Sequence, residues 1–100
     1  MARSRLEFQT LLEGITENVY FQPPSTFRME YPCIRYERDG TSKDHADNEL
    51  YRHANRYQVT VIDRNPDTEL KDQVELLKYS NFERFFPADD LNHYVFSVYF

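Results

Sequence analysis

The spacing of apolar residues changes period several times along the chain, and each change marks an element. Phe8, Leu11, Leu12 and Ile15 fall at i, i+3, i+4 and i+7, the spacing of one helix face. Ser4 and Glu7 precede them with capping-box spacing, and Gly14 supplies an end signal, so a short helix begins at Ser4. Such a helix is marginal alone and must dock. Val19-Tyr20-Phe21 fits a short strand that Pro23-Pro24 terminates or places at an edge. Cys33 to Arg38 alternates, with Ile34 and Tyr36 on one side and Cys33, Arg35 and Glu37 on the other. Asp39-Gly40 signals a turn, and Thr41 to Leu50 is a polar excursion with almost no core material. Tyr57 to Asp63 is the clearest strand, with Tyr57, Val59 and Val61 opposed to Gln58, Thr60 and Ile62.

After the turn Arg64 to Asp67, either Asp67 or Thr68 can cap a second helix. Its core face is expected to be Leu70, Val74 and Leu77, helped by Leu76, and Ser80-Asn81 ends it. Asn81 to Phe86 alternates less cleanly, but Phe82 and Phe85-Phe86 favour a strand. Pro87 to Asp90 reads as a turn. His93 to Phe100 is a last strand with Tyr94, Phe96, Val98 and Phe100 on one face. The segregated helices predict an α+β fold: a mostly antiparallel four- to five-stranded sheet packed against two short helices.

Glu17 to Gln22 has the Glu-x-x-Tyr-x-Gln form that a viral protease used to strip purification tags recognises. Pro23 lacks the free N–H expected after such a site, and an amphipathic helix stands before it, so ENVYFQPP reads as part of the fold.

Composition narrows the function classes. One hundred residues suit one domain spanning 1–100, with one modest core and little surface to spare for an enclosed cavity. Aromatic residues make up 16% of the chain and can build that core economically. The net charge of -5 favours solubility and gives no support for a nucleic-acid-binding surface, though it leaves room for a local basic patch. A single cysteine, Cys33, excludes an internal disulfide, and no stretch has the length of a membrane span; both fit a soluble intracellular chain with no membrane partner.

The candidate chemistry is sparse. His45, His53 and His93 are scattered without metal-ligand spacing, and Cys33 inside a strand is more often a small hydrophobe than a nucleophile. Asp89, Asp90 and His93 could mimic a hydrolytic cluster, but a turn before the last strand accounts for them more simply. Lys43, Arg35, Arg38, Arg52 and Arg56 lie among aromatics, diluted by Glu30, Glu37, Asp39, Asp44, Asp47 and Glu49. With only Gly14 and Gly40, there is no Gly-rich phosphate loop. The reading is of a non-enzyme, with no catalytic, cofactor or metal site and no cofactor. One feature is left over: apolar residues on both faces of the sheet. Either the N-terminal helix covers the second face, or a partner does.

The combination YPCIRYERDG, RYQVTVIDRNPD and FFPADDLNHYVFSVYF resembles small proteins of the head-to-tail region of long-tailed bacteriophages and prophages, described as minor capsid or tail completion proteins and similar to tail terminators. The resemblance implies a subunit that closes into a homo-oligomeric ring, usually a hexamer, on the tail tube. That ring stops tube growth and joins tail to head, contacting the tail tube protein and the head-tail connector protein while DNA passes through its lumen without specific binding. It implies a place in the virion tail or neck, after assembly in the host cytoplasm. A connector adaptor or stopper subunit fits the same residues, and a small nucleic-acid-binding module is the reading from another class. In a terminator, Lys43 to Tyr51 would order against a neighbouring subunit or the tube.

Overall fold

The structure, a computed structural model, describes residues 4–39 and 55–100. The expectations for Lys43 to Tyr51, and for Lys43, His45, Arg52 and His53 individually, lie outside the described residues. The elements run α1 (Arg5–Glu13), β1 (Val19–Phe21), β2 (Cys33–Arg38), β3 (Arg56–Asp63), α2 (Leu70–Glu75), β4 (Ser80–Ala88) and β5 (Leu91–Tyr99). The strands form one sheet in the order β1-β2-β3-β5-β4, with both helices on one face, so the α+β class expected from the sequence is the observed one.

Every strand pair is antiparallel except β1–β2, which is parallel. A parallel pair needs a crossover of roughly a dozen residues, and residues 22–32 supply it without a helix. ENVYFQPP is therefore built into the sheet: Val19, Tyr20 and Phe21 register with Ile34, Arg35 and Tyr36. The Gln22 N–H still bonds the Tyr36 carbonyl at 2.9 Å before Pro23 ends the strand.

At the start of α1 the Ser4 hydroxyl accepts from the Glu7 N–H at 3.2 Å, the expected cap. The helix docks by aromatic packing. Phe8 stacks on Tyr57 at 4.6 Å between centroids, meets Tyr36 edge-on at 5.4 Å and leans on Phe100 at 4.9 Å. Such pairs add about 0.5–1.5 kcal/mol each beyond area burial. The Tyr36 hydroxyl donates to Gln9 Oε1 and accepts from Arg5 Nη1 at 3.0 Å, while the Arg5 guanidinium lies 4.2 Å over the Phe21 ring. Leu12 is buried with Phe8, but Leu11 is turned outward, because the docked stripe is narrower than the sequence spacing predicts.

The N-cap of the second helix is Glu69, which makes no side-chain capping bond, rather than the expected Asp67 or Thr68; Thr68 Oγ1 accepts from the Leu70 N–H at 3.2 Å in the turn that leads into it. Val74 is buried, with Leu70 and Leu77 packed beside it. Leu76 is 84% exposed, against the expectation that it helps the core: α2 ends at Glu75, so Leu76 sits at the C-cap and points away from the sheet. The loop into α2 is held by Asp63 Oδ1 accepting from Asn65 N–H, Asn65 Oδ1 from Asp67 N–H, and the Tyr94 hydroxyl donating to the Pro66 carbonyl at 2.7 Å.

One core cluster joins Phe8, Leu12 and Val74 to Ile34, Tyr36, Tyr57, Val59, Val61, Tyr94, Phe96 and Val98. The alternation expected of β2, β3 and β5 is thus the observed one. The helices leave the other face to the β1–β2 connection. Met29 and Tyr31, with Tyr20, pack on Cys33, Ile62 and Leu91 there, and the Tyr20 hydroxyl accepts from the Glu30 N–H at 3.1 Å. Of the two expectations for this face, cover by α1 is overturned: α1 lies on the same side as α2.

Candidate functional site

The chemistry expected from single residues does not assemble. Cys33 is fully buried, and burial pushes its thiol up to about 12, with Asp63 adding to the shift and Arg35 opposing it. A thiol held protonated is a poor nucleophile. Cys33 registers with Ile62 and Ile62 with His93, which puts cysteine and histidine on one face but two strand spacings apart. That is about 9–10 Å, beyond proton transfer.

His93 stacks on Phe86 with centroids 4.6 Å apart and planes within 8°, and its buried Nδ1 has no hydrogen-bond partner among the described residues. Asp89 and Asp90 form the two-residue turn between β4 and β5, with φ of 55° and 63°. Positive φ at both central residues is the type I′ hairpin turn, so the acidic pair has a conformational role. Pro87 and Ala88, expected in this turn, belong to β4, and β5 begins at Leu91 rather than His93. No group of three or more His, Cys, Asp and Glu residues suited to a metal occurs among the described residues.

The cations are engaged rather than gathered. Arg35 pairs with Glu37 at 3.0 Å, Arg56 with Asp39 at 3.1 Å while its Nε also donates to Ser97 Oγ, and Arg38 lies over the Tyr57 ring. On the helix-free face Arg35, Glu37, Thr60, Arg84, Phe86 and His93 help line a groove of ≈470 Å³, with both signs of charge along it. No helix among the described residues is long and apolar enough to cross a membrane.

What the structure does bring together is the outer margin of β4. This nine-residue strand pairs with β5 on one side, and its other edge meets no strand among the described residues. Phe82, Phe85 and Phe86 are 51%, 45% and 37% exposed. An edge that long with large apolar side chains invites pairing with another chain. The strand is also irregular: Phe82 registers with Phe96 but Arg84 with Val95, so Glu83 is an extra residue, a β-bulge. The bulge moves Phe85 onto the same face as Phe82. Phe82 packs edge-on to Phe96 at 5.4 Å and Phe85 leans on Tyr94 at 4.9 Å, both at the rim of the helix-covered face. Glu83 and Arg84 both line a smaller hollow of ≈270 Å³ on the opposite face, beside Val95 and Ser97.

The sequence carried a signal for this margin. Its trace is the faulty alternation of NFERFF, where a single inserted residue breaks the period of two. Comparison of the chain with family models, with curated proteins and with solved structures returned no match.

Proposed function

We propose that this chain is a non-enzymatic structural subunit that assembles through its sheet margin into a closed ring, acting like a tail terminator at the junction of a bacteriophage tail and head. The observation that carries the reading is β4: a long strand with an edge unpaired among the described residues and three exposed phenylalanines. Exposed aromatic surface of that kind on a small chain is what a subunit interface looks like before assembly. Closed symmetry is the usual way for identical subunits to satisfy such surfaces. The resemblance of YPCIRYERDG, RYQVTVIDRNPD and FFPADDLNHYVFSVYF to tail completion proteins supplies the setting: contacts to tail tube and connector, with DNA passing through an acidic lumen that does not trap it.

Electron microscopy of tails assembled with and without the chain tests the reading. With the chain, a ring of density is expected at the head-proximal end of tails of uniform length; without it, tails of abnormal length that fail to join heads. Normal tails in its absence, or a lone monomer at the neck with no ring, would overturn the proposal.

A further inference from the structure

The bulge gives β4 a hidden symmetry. Register with β5 assigns each residue to a face: Ser80, Phe82, Phe85 and Pro87 lie on the helix side, opposite Val98, Phe96, Tyr94 and Asn92. Asn81, Arg84 and Phe86 lie on the helix-free side, opposite Ser97, Val95 and His93, and Glu83 joins Arg84 there. Read outward from the midpoint between Glu83 and Arg84, the faces match in pairs: Glu83 with Arg84, Phe82 with Phe85, Asn81 with Phe86, Ser80 with Pro87. A strand without the bulge would put the members of each such pair on opposite faces, because its side chains alternate strictly.

We infer that the outer edge of β4 pairs antiparallel with β4 of a second copy of the chain, about a two-fold axis passing between residues 83 and 84. Residues directly opposite in an antiparallel pair share a face. This is the one register in which every residue from Ser80 to Pro87 meets a residue of its own face. Sliding either copy by a single residue sets Phe85 against Glu83 or Phe82 against Arg84, on opposite faces. In the matched register Glu83 faces Arg84 of the second copy twice, with opposite charges. Phe82 faces Phe85 of the second copy twice, and aromatic cross-strand pairs of this kind stabilise sheets. The Arg84 side chain has no hydrogen bond or ion pair among the described residues; it lies 5.8 Å over the Phe86 ring, so its charge is available to the pair. Both bulges sit at the axis, so the twist each adds is met by the same twist opposite.

A second copy's β4 fits this edge better than its β1, which is three residues long and stopped by Pro23-Pro24. The inference rests on the reading of β4 as an assembly surface. A two-fold strand pair is isologous and does not propagate into a ring, so it is the form of the free subunit, covering β4 until a ring contact replaces it.

The test is a charge swap read by sedimentation velocity across a concentration series, with circular dichroism confirming that each variant is folded. The wild-type chain is expected to show a concentration-dependent dimer. E83R sets arginine against arginine and R84E sets glutamate against glutamate, so each alone should associate at least tenfold more weakly. An equimolar mixture of the two variants restores both opposite-charge pairs and should recover a mixed dimer, as should the double variant E83R/R84E. A wild-type chain monomeric throughout, single variants that dimerise like wild type, or a mixture of folded variants that stays monomeric would each overturn the inference. Rings on assembled tails with a failed charge swap would remove the two-fold pair alone. A successful swap with no ring would remove the terminator reading alone.

Discussion

The strands β4 and β5 are two halves of one hairpin, equal in length at nine residues and both rich in aromatics, yet they have opposite fates. All but two residues of β5 are buried, whereas the interior of β4, from Asn81 to Pro87, is exposed throughout. Composition does not separate them; place in the sheet does. β5 lies between β3 and β4 with the helix-side core beneath it, while β4 has a strand neighbour on one side only among the described residues. The second difference is period. β5 alternates without a fault, so each face is coherent, while one extra residue in β4 places two phenylalanines on one rim and an opposite-charge pair on the other. A strand of core composition at a sheet margin is the surface on which the proposed assembly rests.

The largest effect should come from deleting the same side chain on the two strands. Phe96 is 1% exposed within the main core, and Phe96→Ala is expected to cost about 3–5 kcal/mol in chemical unfolding. Phe82, its direct neighbour across the hairpin and 51% exposed, should cost the monomer less than about 1 kcal/mol when replaced by alanine. Equal losses at the two sites would break the contrast and place β4 inside the domain's own core.

The buried side of that contrast was legible in the sequence. The periodicities of Phe8 and Leu12, of Tyr57-x-Val59-x-Val61 and of Tyr94-x-Phe96-x-Val98 named the core face, because a docked helix and a half-buried sheet each impose a fixed period. Four features were not legible. The parallel β1–β2 pairing depends on how residues 22–32 cross the sheet, and no local spacing encodes a crossover. Leu76 continues the helical pattern, but the helix stops a residue earlier and releases it. The rim formed by Phe82 and Phe85 needs the position of the bulge, and NFERFF shows that alternation fails without showing which residue is extra. Cys33, His93 and the Asp89-Asp90 pair are separated by strand register and turn geometry, which only the assembled sheet reveals.

A smaller effect should appear at alkaline pH on the interior side of the comparison, where β2 behaves like β5. Burial holds the Cys33 thiol protonated up to about 12, against an ordinary value of 9.0. Below pH 9 both folded and unfolded chains keep the proton, and the full contribution is present. As pH rises from 9 towards 12 the unfolded chain ionises first, so stability falls. Relative to Cys33→Ala, which lacks the ionisable group, the wild type should lose about 2 kcal/mol between pH 8 and 10.5. Parallel pH profiles in the two proteins would show that solvent reaches Cys33 and that β2 is not sealed as β5 is.

The smallest expected effect lies in the turn that joins the two strands. Asp89 and Asp90 adopt φ of 55° and 63°, a region that costs a residue with a Cβ roughly 1–2 kcal/mol. Glycine adopts it freely but gives the unfolded chain more freedom, which offsets about 0.5–1 kcal/mol of the gain. Asp90→Gly, which creates the Asp-Gly pair favoured in type I′ turns, should therefore stabilise the hairpin by a few tenths to about 1 kcal/mol. The two strands should open differently. Because β5 is also held by β3, its amides open only with the whole sheet, while β4 has β5 as its one strand neighbour among the described residues and can peel from the margin. Hydrogen exchange in the wild type should therefore be faster at the β4 amides than at the β5 amides, and Asp90→Gly should slow both by its gain, since peeling of β4 and opening of the whole sheet each release the turn. Equal protection of the two strands in the wild type would mean that β4 does not open separately, and the margin would then be as much a part of the cooperative sheet as its centre.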